Sequence, residues 1–347
     1  MGIYVNPSNE NFKESLNSDI YVDKTMLIHE LNKVIITENK FVSVSRPRRF
    51  GKSMAANMIA SYYSLGCDSR GLFSSLKISS DFSYLNKLNV LKFDMGAFFN
   101  IYPENTVSWV EKKTKQDFIK IFPLIDFSDC DSLADCLMHS YIETKIPFVI
   151  IIDEYDVLIR EKTKSEVQNS YLRFLNGLFK NADLSPAIAL VYVTGILPII
   201  KDRVGSKLNN FHEYTMLDAG FTEFSGFTSE EWKVLCNKYS MSYDECSKWY
   251  NGYHLSGYEL YSPASVVSAM RNHKYDDYWI QTGSFESIKD YILLDFNGIK
   301  EDVIEMLSGK SIKVNTSKFQ NSLDGFKSKD DVFTYLIHLG YLAYDNE

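Results

Sequence analysis

The side chains of this sequence best suited to chemistry on a phosphate are Lys52 and Ser53, which follow Gly51, and the adjacent carboxylates Asp153 and Glu154 far downstream. The stretch Arg46-Pro47-Arg48-Arg49-Phe50-Gly51-Lys52-Ser53 comes after the apolar run Phe41 to Ser45 and before a helix-like segment. It therefore reads as a strand, a phosphate loop and a helix. Gly51 lets the backbone pass close to phosphates, and the first amides of the following helix, through Met54, point at them. Lys52 brings a mobile charge to the terminal phosphate oxygens, and the Ser53 hydroxyl is suited to magnesium. One position departs from the usual motif: Arg46 stands where a glycine is expected, and Pro47 stiffens the backbone after it. A bare Gly-Lys-Ser is common by chance, and the ordinary alternative is a surface turn.

The second element argues against chance. Phe148 to Ile152 is an unbroken apolar run that ends in Asp153-Glu154, as expected for a central parallel strand whose carboxyl end faces a ligand crevice. Asp153 is placed to hold magnesium, directly or through water, and Glu154 to orient or deprotonate the water that attacks a γ-phosphate. The bland reading is a buried strand followed by a solvated acidic turn. Three further runs, Val90 to Asp94, Ala187 to Val193 and Tyr214 to Leu217, are separated by helix-length segments, so the spacing predicts an α/β, doubly wound parallel sheet. In that sheet Thr194, at the end of its strand, lies beside the carboxylate pair and is a candidate sensor of the γ-phosphate. A helix cap is the alternative.

Arg48 and Arg49 are candidates for stabilising triphosphate charge or for pairing with Asp153, Glu154 or Asp156. Phe50 completes the loop. Beyond the Thr194 strand, Arg203 is a candidate finger on the γ-phosphate, while Lys201 and Lys207 read as solvated. Asp23 is suited to cap a helix that packs through Met26, Leu27 and Leu31.

The sequence resembles the predicted AAA-ATPase-like family, whose members often carry a PD-(D/E)xK nuclease-like domain after the ATPase. The matching residues are Tyr21-Val22-Asp23-Lys24-Thr25, the arginine-rich loop from Arg46 to Ser53, Ile152-Asp153-Glu154-Tyr155-Asp156, Thr194-Gly195 and Leu208-Asn209-Asn210. Gly220-Phe221-Thr222, Trp249 to Tyr253 and Tyr278-Trp279 follow in the family's order. The resemblance implies ATP and Mg2+ as ligands, an ASCE-type P-loop core, a C-terminal helical lid and a winged-helix-like segment. It also implies that Arg46 is a signature rather than a defect, and that Tyr21, Val22 and Thr25 neighbour the adenine. Asn251 and Ser262 depart from the family's usual residues. The segment Leu336 to Tyr344 resembles the one that precedes the nuclease-like domain, and nothing comparable to that domain follows before the sequence ends at Glu347.

Composition sets limits. A chain of 347 residues has room for an ATPase core, expected over 1–218, a helical lid over 219–290 and a winged-helix-like segment over 291–347. The formal charge of −8 argues against a broadly basic nucleic-acid surface, and Lys112, Lys113 and Lys115 read as a solvated helix face. The cysteines Cys67, Cys130, Cys136, Cys236 and Cys246 lack zinc spacing and are expected as reduced core thiols. No stretch approaches the roughly 18 apolar residues that span a bilayer, so a soluble cytoplasmic protein is expected. The aromatic-rich segment with Trp249, Tyr250, Tyr253, Tyr258 and Tyr261 is expected as the core of the lid, with base stacking as the alternative.

Together these features predict an ATP-binding, magnesium-dependent ATPase module that controls a nuclease-like or other effector. The alternative is a low-turnover nucleotide-gated switch acting through oligomerisation. A small-molecule kinase shares the loop but lacks an acceptor motif.

Overall fold

The computed structural model describes residues 1–161, 163–199, 208–218, 220–250, 253–255, 257–278, 298–319 and 326–345. Nine strands occur among them: β1 (Phe41–Ser45), β2 (Asn89–Asp94), β3 (Phe148–Asp153), β4 (Ile188–Gly195), β5 (His212–Tyr214), β6 (Phe227–Thr228), β7 (Tyr253–Leu255), β8 (Tyr258–Tyr261) and β9 (Tyr344–Asp345). Five of them form a sheet in the order β2-β3-β4-β1-β5. β3 runs parallel to both β2 and β4, in register from Asn89 opposite Phe148 to Asp94 opposite Asp153. Every residue of β1, β3 and β4 is buried, which is why these segments read as unbroken apolar runs rather than as alternating ones.

β4 thus lies between the strand that feeds the phosphate loop and the strand that ends in the acidic pair, and the fold is the α/β P-loop sheet expected from the sequence. The fifth strand is earlier and shorter than expected. Thr215 donates its amide and hydroxyl to Asp218 Oδ2 at 3.1 and 2.7 Å, and this local turn ends β5 at Tyr214. The first helix after β1, Lys52–Tyr63, buries Ala56, Met58, Ile59 and Ala60 and packs against β3. In the helix Met26–Val34 the cap position is Thr25 rather than Asp23. Asp23 acts one step earlier and accepts the Thr25 amide at 2.8 Å.

Two compact units divide the chain. Met1–Val44 and Gly51–Ile199, with residues 208–213, belong to one; Ser45–Phe50 and the described residues from Tyr214 onward belong to the other. The second unit contains a four-stranded sheet in the order β6-β8-β7-β9 together with the helices Ser229–Tyr239, Tyr243–Tyr250, Pro263–Asn272, Ile299–Leu307 and Lys329–Leu339. Its aromatic-rich segment, expected as the core of a helical lid, carries the antiparallel pair β7–β8. Tyr253 and Tyr261 are buried there, whereas Trp249 and Tyr258 are exposed. Asn251, Gly252 and Trp279 lie outside the described residues.

The second unit also settles where Arg46 goes. It is fully buried, and its fork donates from Nε to Ser225 Oγ at 2.7 Å, from Nη1 to the carbonyls of Ser45 and Tyr214 at 2.9 Å each, and from Nη2 to that of Gly220 at 3.3 Å. A planar, multidentate cation is required to gather oxygens so widely spaced in sequence. Phe50 joins the apolar cluster of Met216, Leu255, Leu260 and Ile337, and its ring meets Tyr253 edge-on at 5.6 Å.

His338, on the helix Lys329–Leu339, is buried against Phe319, and its Nδ1 has no hydrogen-bond partner. Burial, reinforced by the Arg46 charge, pushes its imidazole down to about 3. Between the ordinary histidine value and that figure the unfolded chain takes up a proton that the native state refuses, so stability falls as pH drops through this window. We expect His338→Phe, which keeps a ring in place, to reduce the acid slope of unfolding free energy by up to about 1.4 kcal/mol per pH unit between pH 6 and 4. Denaturant melts of both proteins across that range provide the check, and parallel slopes would refute it.

Candidate nucleotide site

The site is assembled at the carboxyl ends of β1, β3 and β4. Gly51 adopts a left-handed φ of +84° at the amino end of Lys52–Tyr63, and a Cβ there would meet nothing within 4 Å. No side chain caps this helix, and Ser53 and Met54 in its first turn are exposed. An uncapped helix start behind an unobstructed glycine is the arrangement that receives an anion.

Lys52 is only half-buried as a residue, so the desolvation falls on its ammonium tip. Burial pulls that group down to about 8, while Asp153, Asp156 and Glu154 favour its charge and Arg160 opposes it. The acidic end of β3 and the phosphate-loop lysine therefore share one electrostatic neighbourhood. An incoming polyanion would restore the lysine's full charge.

Asp153 and Thr194 are neighbours across β3 and β4. The Thr194 hydroxyl donates to Asp153 Oδ1, and the Glu154 amide donates to the same oxygen at 3.0 Å. Glu154 itself turns the chain with a left-handed φ of +51°, uncommon for a residue with a side chain. Its carboxyl is held above the usual range by burial. Arg160 opposes that shift, and Asp94, Asp153 and Asp156 add to it.

The turn after β3 is bound to the end of β4 by a further set of bonds. Tyr155 donates its amide to Thr194 O at 2.9 Å and its hydroxyl to Leu197 O at 2.8 Å. Asp156 Oδ2 accepts the amides of Ile196 and Leu197 at 3.1 and 3.0 Å, and Arg160 Nη1 at 3.1 Å. Gly195 makes the approach possible, because a Cβ there would lie 2.6 Å from Tyr155 Cε1 and 2.7 Å from Asp156 Oδ1. Burial works against the Arg160 charge, but Asp156, Glu154 and Glu161 outweigh it and raise the guanidinium above its ordinary range.

The other residues singled out in the sequence are distributed differently. Arg48 and Arg49 are exposed, so the guanidinium on the core carboxylate Asp156 belongs to Arg160, which sequence reading passed over. The spacing of four from Asp156 was its only signal, and that pattern is common on solvated helices. Phe50 is a core residue of the second unit, as described above, with 2% of its surface exposed. Tyr21 is half-buried with its ring edge against Phe12, and Val22 is half-buried. Thr25 is fully buried, its hydroxyl donating to Asp23 Oδ1 at 2.6 Å and accepting from the Ile78 amide at 3.2 Å. Arg203, Lys201 and Lys207 lie outside the described residues. Lys112 and Lys113 cover the Trp109 ring, and Lys115 donates to Cys130 O, so that cluster serves its own helix.

The family model described as predicted AAA-ATPase matches residues 9–205. The chain belongs to that family. A curated relative, an uncharacterised protein in the vnfD 5′ region of Azotobacter chroococcum mcd 1, is 23% identical over 272 residues, which is 76% of this chain and 51% of that protein. The chain thus spans about half the length of the curated relative it matches. Among solved structures, the Walker-type ATPase PABY2304 of Pyrococcus abyssi aligns at 12% identity with a TM-score of 0.39, over 83% of this chain and 75% of that one. C. elegans PCH-2 aligns at 12% identity with a TM-score of 0.30, over 95% and 71%. Among the described residues no helix is long and apolar enough to cross a membrane.

Asp156→Ala removes the acceptor of two backbone amides and leaves the buried Arg160 with only the exposed Glu161, at 3.3 Å, as an ion-pair partner. We expect it to lower stability by about 3–5 kcal/mol in denaturant titration. Asp156→Ala/Arg160→Met should recover part of the loss, since no guanidinium then stays buried without its buried carboxylate; a double variant no better than the single would refute this account.

Proposed function

We propose that this predicted AAA-ATPase family member binds ATP with magnesium, hydrolyses it, and uses the nucleotide state to control a nuclease-like or other effector. The observation that supports the reading best is the shared environment of Lys52 and the Asp153–Glu154 pair, with Thr194 bonded to Asp153. The residues present fit a metal-bound triphosphate. The helix start behind Gly51 is uncapped, Ser53 is exposed beside Lys52, and Asp153 stands at the end of β3. Magnesium commonly takes one or two protein oxygens and fills its remaining positions with water and phosphate oxygens, which suits Ser53 and Asp153.

When bound, the metal supplies charge neutralisation at the phosphates. The chain supplies the rest. Amides of Gly51 to Met54 and the Lys52 ammonium bind phosphate oxygens, Thr194 orients Asp153, and Glu154 positions a water molecule and takes its proton at a carboxylate oxygen. A carboxyl raised by burial is better matched to accepting that proton than an ordinary surface glutamate. Arg48, Arg49 and Arg203 are proposed as supplementary cations for the triphosphate, and Tyr21, Val22 and Thr25 as neighbours of the base.

Binding and hydrolysis should separate by residue. We expect Lys52→Ala to weaken ATP binding at least tenfold, and Glu154→Gln to retain wild-type affinity while losing on the order of 100-fold or more in turnover. Equilibrium binding of a fluorescent ATP analogue and steady-state phosphate release measure the two quantities. Wild-type turnover by Glu154→Gln would overturn the role given to that carboxylate, and undetectable turnover by the unmodified protein with intact ATP binding would favour a nucleotide-gated switch.

A further inference from the structure

Gly96 stands in the first turn of the helix Met95–Ile101, directly after β2, and is buried. It has no unusual backbone angle and belongs to none of the motifs considered above. A helical glycine of this kind is normally a weakness, because alanine would be favoured there on entropic grounds. Its surroundings explain it. A Cβ built on Gly96 would lie 3.1 Å from Glu154 Cδ and 3.1 Å from Asp94 Oδ1, with Glu154 Oε2 closer still, far inside van der Waals contact. The Glu154 carboxylate rests on the face of the helix turn that the missing methyl group leaves open.

The local geometry shows why it rests there. Asp94 and Asp153 are register partners at the ends of β2 and β3, so the residue after Asp153 emerges beside the start of the helix that follows β2. The left-handed φ of Glu154 then turns its side chain toward that helix. Asp94 is committed as the N-cap, accepting the Ala97 amide at 3.1 Å, and closes the seat from one side.

We infer that Gly96 is a positioning residue for hydrolysis: by lacking a side chain it provides the seat that holds the Glu154 carboxylate where it acts on water. The inference rests on the role proposed for Glu154. It predicts an uncommon combination of effects. The atoms nearest a new methyl group are the far end of the flexible Glu154 side chain, and the capping Asp94 Oδ1 at 3.1 Å need give by only a few tenths of an ångström, so the fold can accept the methyl by letting Glu154 swing aside. The reaction cannot accept it, because a displacement of about 1 Å at a reacting group is enough to cost about 100-fold in rate.

The test compares unmodified protein, Gly96→Ala, Glu154→Gln and the double variant in phosphate release, in affinity for a fluorescent ATP analogue, and in melting temperature. Gly96→Ala should turn over on the order of 100-fold more slowly, with affinity unchanged within about twofold and an unchanged or raised melting temperature. The double variant should be no slower than Glu154→Gln alone, because both changes remove the same contribution. Three results would overturn the inference: wild-type turnover in Gly96→Ala, a lowered melting temperature that accounts for lost activity, or a rate loss that adds to that of Glu154→Gln. Absence of turnover in the unmodified protein would instead remove the hydrolytic reading of Glu154, and Gly96's role with it.

Discussion

One oxygen holds the site together. Asp156 is fully buried, and its Oδ2 takes the amides of Ile196 and Leu197 and the guanidinium of Arg160. The two amide bonds fasten the turn after β3 to the end of β4, while Arg160, four residues on from Asp156, compensates the buried carboxylate. A buried charge pair is seldom a net source of stability compared with apolar packing, but it fixes geometry, because any other arrangement strands a charge without solvent. The cost is borne where two strand ends must be held in register for chemistry. Gly195 belongs to the same device, since only a residue without a side chain lets the strand end come so near Tyr155 and Asp156.

Around this closure the site accumulates like charge. Asp94, Asp153, Glu154 and Asp156 are concentrated at two adjacent strand ends, and the cations that share their field include Lys52, Lys92 and Arg160. Burial resists the charges of Lys52 and Glu154, which explains why the lysine and the glutamate are both displaced toward their neutral forms. A site in that condition gains from an incoming metal ion and polyanion together, because each relieves a different part of the imbalance.

Much of this was legible in the sequence, for definite reasons. A strand covered on both faces must be apolar throughout, so β3 and its terminal carboxylates stood out, and the order of runs placed Thr194 beside them. The contributions that escaped notice depend on tertiary proximity. Arg46 bonds to Ser225 across 179 positions of sequence, and no local pattern announces that. Gly96 carries no motif, and its meaning appears only once Glu154 is seen beside it. The hairpin β7–β8 did have a signal, the alternation of Tyr253 with Leu255 and of Tyr258 with Leu260 about the left-handed Gly257, but aromatic density drew the eye to a helical core instead. Arg48 and Arg49 are exposed while the guanidinium on Asp156 is that of Arg160, and adjacency in sequence says nothing about which guanidinium is buried.

Arg46 and Phe50 have a consequence for the modularity of the chain. The residues Ser45–Phe50 run from the end of β1 toward the helix Lys52–Tyr63, yet the side chains of Arg46 and Phe50 are invested in the carboxyl-terminal half, through Ser225, Gly220 and the cluster around Tyr253. A fragment cut after Glu213 would leave Phe50 without its apolar cluster and Arg46 without the Ser225, Tyr214 and Gly220 acceptors. The loop segment is thus tied to residues more than 160 positions downstream, so truncating the chain there removes the partners of a segment that precedes the Lys52 helix.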